Sequence, residues 1–557
     1  MNSITKATAL LAIMAGTATQ YSDACTSLIA GKGATDNGST MITYAADSHV
    51  LYGELYEKQG GTHAPGTMRP VIDWDTQVVR GEIPEAAVTY NRIGNMNEHG
   101  VTIGESTWSC RPELEGSGMM DYGSLIYIAL ERAKTAREAL DIMTDLAERY
   151  GYASEGESFS IADPDEVWIL EMVGKGKDDP GVVWVARRVP DNAIAGHANH
   201  SRIHTFPLNE KETTIYSDDV ISFARKMGYF DGKDKDFDFS RAYAVYDLGA
   251  LRGCDARVWA YFNRFAPEGE MTSYLDWIIA GQGEPLPLWI VPDKKISAND
   301  LKWMMRDHYE GTPLDMTSDI GAGPFDVPYR WRPLTYKIDG NEYTHERAIA
   351  TQQTGFSFVS DMNGSRPDAM KGILWFGVDD ANTGVYIPVF NSTAHAPYEV
   401  SEGNGDMLTL SWDALFWVNN YVANQAYNRY SQMIPDIRAV QLPLESEVEG
   451  LVYALPDALT GLDTAAQTAL LDNVVDSWAH NVTKDYKTLG DYLFVKYMDG
   501  NIKPVKEDGT FKRTPTGVPE NPKFGGYNER YYRSIVDEQG NRLKVIDVPQ
   551  TNTPANK

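Results

Sequence analysis

Cysteine occurs three times in the 557 residues, as Cys25, Cys110 and Cys254, and the first stands where a thiol has unusual chemistry open to it. It follows the segment MNSITKATALLAIMAGTATQYSDA. Lys6 gives that segment a positive start, Ala7 to Ala18 is apolar but too short to span a bilayer, and Ser22-Asp23-Ala24 has the small-x-small form that precedes a leader cut. Removal of residues 1–24, as signal peptide or propeptide, leaves Cys25 with a free thiol and a free α-amine. An α-amine has a pKa of about 7.7–8.0, so near neutrality part of it is unprotonated and can take the thiol proton. One residue then supplies both nucleophile and base for attack on a carbonyl. The same leader predicts an exported protein, periplasmic or extracellular. Lipid attachment at Cys25 is the competing use, but a lipobox has a Leu-like residue three positions before the cysteine, where this chain has Ser22.

Carbonyl attack builds an oxyanion, which needs neutral donors already aimed at it. The run His197-Ala198-Asn199-His200-Ser201-Arg202 closes an apolar strand, and Asn199 has the right donor chemistry; a loop of mutually satisfied polar residues is the plainer alternative. His197 and His200 at i, i+3 carry zinc-ligand chemistry, yet no third ligand stands at a motif spacing and the local pattern is strand and turn. No metal and no other cofactor is expected. Asp47 suits holding the ammonium of Cys25, or merely capping a turn. Arg257, in Asp-Ala-Arg-Val-Trp, suits electrostatic support of Cys25, a contact to a substrate carboxylate, or an ordinary surface position.

Elements must bring these residues together. Thr26–Ala30 and Thr40–Ala46 are apolar runs joined by the polar, glycine-rich 31–39, a hairpin that starts beside Cys25 and ends at Asp47. A second hairpin is predicted from 87–92 and 101–105 around Ile-Gly-Asn-Met-Asn-Glu-His-Gly. Helices are predicted at 122–133 and 135–150, the latter with Ala136, Ala139, Leu140, Met143, Leu146 and Ala147 on one face. Strand pairs return around Asp163-Pro164-Asp165 and in the run to Ile203, and a helix near 297–309. Long helical pattern begins near Ser411 and again at 464–488, while the last fifty or so residues lack periodicity. Alternating strand-rich and helical stretches predict sheets covered by helices.

Composition removes other classes. There are 50 Lys+Arg against 78 Asp+Glu, a formal charge of −28, which repels phosphate backbones and anionic lipid. Nucleic acid is therefore excluded as a partner, and no later stretch approaches the 18 apolar residues of a membrane span. An apolar fraction of 42% with 11% aromatics belongs to a chain with a large core rather than a disordered acidic one. Three widely spaced cysteines form neither a disulfide scaffold nor a CxxC motif, and their odd number leaves at least one thiol free. Whether Cys110 and Cys254 pair is open at this level.

Ordered motifs carry a resemblance. Cys25-Thr-Ser-Leu-Ile, Gly38-Ser-Thr-Met-Ile, Ala46-Asp-Ser, Asn97-Glu-His-Gly-Val, Ile103-Gly-Glu-Ser-Thr, Gly156-Glu-Ser-Phe, Ile161-Ala-Asp-Pro, Trp168-Ile-Leu-Glu and His197-Ala-Asn-His-Ser-Arg-Ile resemble the cysteine-type dipeptidases among the N-terminal nucleophile hydrolases. That family is related to secernins and, more distantly, to penicillin V acylases and bile salt hydrolases. Met305 to Asp315, Arg347 to Ser360 and Trp375-Phe-Gly extend the likeness to about Phe390. The resemblance implies an α+β fold, a four-layer αββα sandwich over residues 25–405. To this are added a helical C-terminal region at 406–500 and an irregular tail at 501–557. It implies amide hydrolysis without metal, with Cys25 as nucleophile, Asp47 holding the catalytic amine, Asn199 as oxyanion donor and Arg257 in support. Many relatives have Arg three positions before the aspartate; this chain has Tyr44, and a phenol cannot replace a permanent cation.

A free dipeptide, the small-peptide substrate so implied, carries an ammonium and a carboxylate. Glu105 is the candidate for the ammonium, and Arg257 or Arg202 for the carboxylate. An acylase acting on N-acyl amides keeps the chemistry and changes the substrate; an exported binding protein without turnover is the reading from another class; a papain-like enzyme lacks its motif around Cys25. Side-chain preference and oligomeric state are not written in the sequence.

Overall fold

The structure is a computed structural model that describes residues 25–547; the expected leader, 1–24, lies outside the described residues. Most regular structure falls into two antiparallel sheets with helices on both. The first sheet contains β1 (Ser27–Ala30), β2 (Met41–Asp47), β7 (Ile194–His197), β8 (Thr354–Met362), β9 (Gly372–Val378) and β10 (Ile387–Phe390). Its order is Trp289–Ile290, β7, β1, β2, β8, β9, β10. The second contains β3 (Thr102–Trp108), β4 (Gly156–Ala162), β5 (Val167–Gly174) and β6 (Val182–Arg188), in the order 6-5-4-3 and extended by short strands at both ends.

The expected first hairpin is present, with Ile29 opposite Ile42 and Ala30 opposite Met41. These strands read as continuous apolar runs because both faces are covered: every residue of β1 and β2 is buried. β2 meets β3 from the other sheet at Gly104, where a Cβ would stand 3.2 Å from that of Tyr44 and 3.3 Å from the Thr43 carbonyl oxygen. Absence of a side chain there lets the sheets approach and sets Glu105 beside the Tyr44 phenol.

Helices α1 (Tyr122–Leu130) and α2 (Ala136–Tyr150) lie on the second sheet. Asp121 and Thr135 cap them, accepting from the backbone N–H of Ser124 and Glu138. All six apolar positions read on the second helix are buried, and complete burial of a Leu or Met there contributes roughly 1.5–3 kcal/mol. On the first sheet lie α3 (Ala256–Phe265), α4 (Ala298–Met304), α5 (Leu415–Ala426), α6 (Tyr430–Leu459) and α7 (Thr464–Tyr497).

Three local expectations differ from the structure. Residues 87–105 make two reversals instead of one: Arg92–Ile93 pairs with Met96–Asn97, and Met96 in turn with Thr102. The helix expected over 297–309 ends at Met304, and the Arg306 guanidinium beyond it ion-pairs with Glu445 on α6. The pattern from Ser411 breaks at residues 427–429 and resumes as a 30-residue helix through Pro435, Pro443 and Pro456. Its inward residues Met433, Ile437, Val448, Val452, Leu455 and Leu459 are buried, and that packing outweighs the backbone bonds the prolines remove. The tail contains one further helix, Glu529–Gln539.

Candidate active site

Cys25 stands two residues before the start of β1, and Thr26 between them exchanges backbone hydrogen bonds with Ala45 at 3.2 and 2.9 Å. That pairing lays Cys25 against the end of β2, where the backbone N–H of Asp47 donates to its sulfur. The thiol is 7% exposed. Sγ donates to Glu105 Oε1 at 3.2 Å and lies 3.8 Å from the Tyr44 hydroxyl, which also donates to Glu105 Oε1. Burial pushes the thiol pKa well above the ordinary cysteine value, the negative charges of Glu105 and Asp47 push it further, and the Asp47 N–H opposes them. With its nitrogen in a peptide bond, Cys25 is a protonated thiol.

Asp47 is held from a different part of the chain. Thr354 Oγ1 donates to its Oδ1 at 2.6 Å, and Arg347 binds Oδ2. Thr354 faces Asp47 and Phe356 faces Ala46, so Gly355 is an extra residue in the ladder, a β-bulge that turns the Thr354 hydroxyl onto the acid. The bulge needs glycine: a Cβ at 355 would stand 2.7 Å from Leu51 Cγ and 3.0 Å from its carbonyl oxygen.

Arg257, from the first turn of α3, is fully buried and follows a π-helical stretch, Gly249–Asp255. Its guanidinium donates to five acceptors: Gly253 O at 2.8 Å, Cys25 O at 2.6 Å, Thr26 Oγ1 at 2.7 Å, Ala198 O at 3.1 Å and Asn199 Oδ1 at 2.9 Å. Burial, and then the charge of Arg347, lower its pKa to about 10; at neutral pH it is still a cation. Arg347 reaches the same Thr26 hydroxyl at 3.3 Å. Arg257 and Arg347 thus flank the nucleophile's backbone from other elements, while the phenol of Tyr44 faces its sulfur.

Asn199 sits at φ 57°, a left-handed conformation that Asn tolerates better than most residues. Because Arg257 donates to Oδ1, the amide can only present Nδ2 to the site; that nitrogen gives one hydrogen to Thr107 O at 2.6 Å, and among the described residues no acceptor takes the second. Cys25, Asp47, Asn199, Arg257 and Glu105 thus form one connected group. Arg202 lies elsewhere: it is buried, bound to the Leu286 and Pro287 carbonyls at 3.4 and 2.7 Å and 3.7 Å from Asp255.

The two histidines are also committed. His197 lies between the hydroxyls of Ser106 and Ser160 at 2.6 and 2.7 Å, joining the first sheet to β3 and β4, and burial lowers its pKa to about 3. His200 Nδ1 meets Asp255 at 2.9 Å. Among the described residues no group of three His, Cys, Asp or Glu is arranged for a metal, and Cys110 and Cys254 are free, buried thiols.

Sequence reasoning missed three participants. Arg347 and Thr354 were visible only as part of a motif-bearing segment, 300 and 307 positions from Asp47. Glu157, whose carboxyl is within hydrogen-bonding reach of Glu105, was visible only inside the Gly156-Glu-Ser-Phe motif, with nothing to give it a role.

A buried cysteine near a strand start, an asparagine amide beside it and one arginine, Arg257, fixing both make an arrangement for attack on a carbonyl. The family model of peptidase family C69 matches residues 24–442. A probable dipeptidase of Salmonella dublin is 25% identical over 400 residues, covering 69% of this chain and 84% of that protein. A dipeptidase of Bifidobacterium longum strain NCC 2705 is 24% identical over 541 residues, 87% and 90% of the two chains, and dipeptidase A of Lactobacillus helveticus 22% over 429 residues, 73% and 82%. With well over half of its length matched, the chain belongs to peptidase family C69 and is a peptidase.

Proposed function

We propose that the protein is an exported cysteine dipeptidase whose nucleophile, Cys25, becomes the N-terminal residue when 1–24 are removed. The reading rests above all on the group centred on Cys25: a thiol against the Asp47 N–H, with its own carbonyl held by Arg257 and the oriented Asn199 amide alongside. The family match beginning at residue 24 and the dipeptidase names of the relatives support it. We take the two mutually packed sheets and their helices as the αββα sandwich of N-terminal nucleophile hydrolases, spanning 25–405. Helical material at 406–500 and a tail at 501–557 complete the chain.

In the reaction, Cys25 Sγ bonds to the scissile carbonyl carbon as its proton passes to the α-amine. Asn199 Nδ2 donates to the oxyanion. The carbon–nitrogen bond then breaks, the departing amine takes the proton from the α-ammonium, and water hydrolyses the thioester to restore the thiol. Freeing the α-amine matters electrostatically. A unit charge about 4 Å from the sulfur at an effective dielectric constant of 20 is worth about 4 kcal/mol, or roughly three pKa units, which opposes the upward push of burial, Glu105 and Asp47.

Substitution Cys25→Ala abolishes dipeptide hydrolysis in a protein that still unfolds cooperatively, and the mass of the active wild-type chain begins at Cys25. Full activity in that variant, or an active chain retaining residues before Cys25, would end this reading. Glu105 serves the substrate ammonium, so a dipeptide is cleaved and its N-acetyl derivative is not; the reverse preference points to an N-acyl amidase.

A further inference from the structure

We propose that Glu105 and Glu157 act as a pair sharing one proton, and that this pair is the subsite for the free α-ammonium of the substrate, which displaces the shared proton when it binds. The proposal rests on Cys25 being the peptidase nucleophile and extends that reading to how an unblocked N-terminus is selected.

Geometry comes first. β3 and β4 pair with Glu105 opposite Phe159 and Thr107 opposite Glu157, so the two glutamates are diagonal neighbours on one face of the ladder. They are 1% and 0% exposed and within hydrogen-bonding reach of one another. Their known donors use one oxygen each: Glu105 Oε1 accepts from Tyr44 and Cys25, and Glu157 Oε2 from Thr107 Oγ1 at 3.0 Å. Among the described residues no protein donor reaches Glu105 Oε2 or Glu157 Oε1, and both atoms are buried. Buried acceptors in that condition require a proton or a cation.

The charged neighbour common to both glutamates is another acid. Asp75, which accepts from the Tyr122 hydroxyl at 2.7 Å, adds negative charge to both glutamates, and Glu105 acts on Tyr44 and Tyr122 in the same sense. Burial first, and then Glu105, raise the Glu157 carboxyl well above the usual range, as expected of two acids that cannot both ionise.

Covalent geometry ties this pair to the substrate. In an unblocked peptide the α-nitrogen is two bonds from the first carbonyl carbon, about 2.5 Å away. Attack places that carbon roughly 3–3.5 Å from Sγ. An ammonium on the first residue therefore lies within about 6 Å of the sulfur, the region that Glu105 occupies at 3.2 Å. Asp47, the other acid beside Cys25, is taken up by Arg347 and Thr354. A longer peptide presents its ammonium there only when its first bond is the one cleaved, so the subsite selects aminopeptidase-type positioning as well as a free amine.

The test compares alanyl-alanine with its desamino analogue, propionyl-alanine, on processed wild type and Glu157→Gln. Wild type prefers the dipeptide in kcat/KM by at least 100-fold. In Glu157→Gln the KM for the dipeptide rises 10- to 100-fold, kcat changes less than fivefold and the dipeptide loses at least tenfold more in kcat/KM than propionyl-alanine, so the preference collapses. Parallel loss on both substrates, which is what a purely structural role or a contact to the α-amine of Cys25 itself produces, overturns the proposal, as does an intact preference. Should Glu157→Gln not fold, wild type suffices: alaninol inhibits competitively while N-acetylalaninol does not, and calorimetry in buffers of different ionisation enthalpy detects proton release on alaninol binding at neutral pH. Equal inhibition by both, or no proton release, overturns it. A wild-type protein that cleaves neither substrate, with its thiol intact, instead refutes the peptidase reading of Cys25.

Discussion

Replacement of Arg257 by lysine keeps a cation in the site and removes the planar fork. The native guanidinium serves Cys25 O, Thr26 Oγ1, Ala198 O, Asn199 Oδ1 and Gly253 O at 2.6–3.1 Å. An ammonium has three donors on a flexible stem and cannot span acceptors just before β1, on the loop after β7 and in the π-helical stretch before α3 at once. At least two buried acceptors lose their donor, at about 1–3 kcal/mol each, so stability falls by roughly 2–6 kcal/mol. That is a large part of a margin that is typically about 5–15 kcal/mol. The effect on rate has a different origin. Once Oδ1 of Asn199 is released, its amide is free to turn, and loss of one aimed oxyanion donor lowers kcat by about 10²–10³-fold. Lysine therefore lowers kcat on a free dipeptide by about 100-fold with KM within a factor of three, and lowers the urea midpoint. The mass of the purified variant must begin at Cys25, which separates a catalytic loss from failed maturation. A correctly matured Arg257→Lys protein with a kcat within threefold of wild type and an unshifted urea midpoint would refute this reasoning.

Asn199→Ala removes the donor itself and lowers kcat by about 10²–10³-fold with little change in KM, measured on the same dipeptide. Gly355→Ala forces a Cβ against Leu51, costing about 1–3 kcal/mol in urea unfolding, and by shifting Thr354 it loosens Asp47 and reduces activity as well. His197 stays neutral in the folded protein down to about pH 3, whereas an unfolded histidine takes up a proton near 6.5. The unfolded state thus binds more protons below pH 6.5, and stability is lost as pH falls from there toward 3, by roughly 1 kcal/mol per pH unit from this residue. A His197→Gln protein shows a correspondingly flatter fall in urea-unfolding free energy over that range, despite lower stability at neutral pH.

What the sequence makes legible divides by distance along the chain. Cys25 and Asp47 are read together because one hairpin joins them, and Asn199 because it ends an apolar strand in a run of polar residues. Arg347 and Glu157 stay hidden for opposite reasons. The first acts across 300 positions, where no local periodicity reaches; the second lies in an apolar-patterned strand where an acid reads as an exception rather than a partner. Arg202 shows the converse limit, since a conspicuous arginine in the most polar motif turns out to bind backbone carbonyls and Asp255. Among the helices, the amphipathic 136–150 is explicit in its spacing, while 430–459 is masked by three prolines that only tertiary packing overrides.

β1 lies between β7 and β2, paired along both edges. A strand in the middle of a sheet cannot peel away without breaking two ladders, so the residue that precedes it keeps its position whether or not anything is attached upstream. If residues 1–24 are removed as proposed, the cut changes the charge at Cys25 and not the place of its strand. For anyone producing the protein, this dictates the layout of a recombinant gene. On the proposed mechanism an affinity handle belongs at the C-terminal end, because a residue left ahead of Cys25 puts the nitrogen that serves as base into a peptide bond.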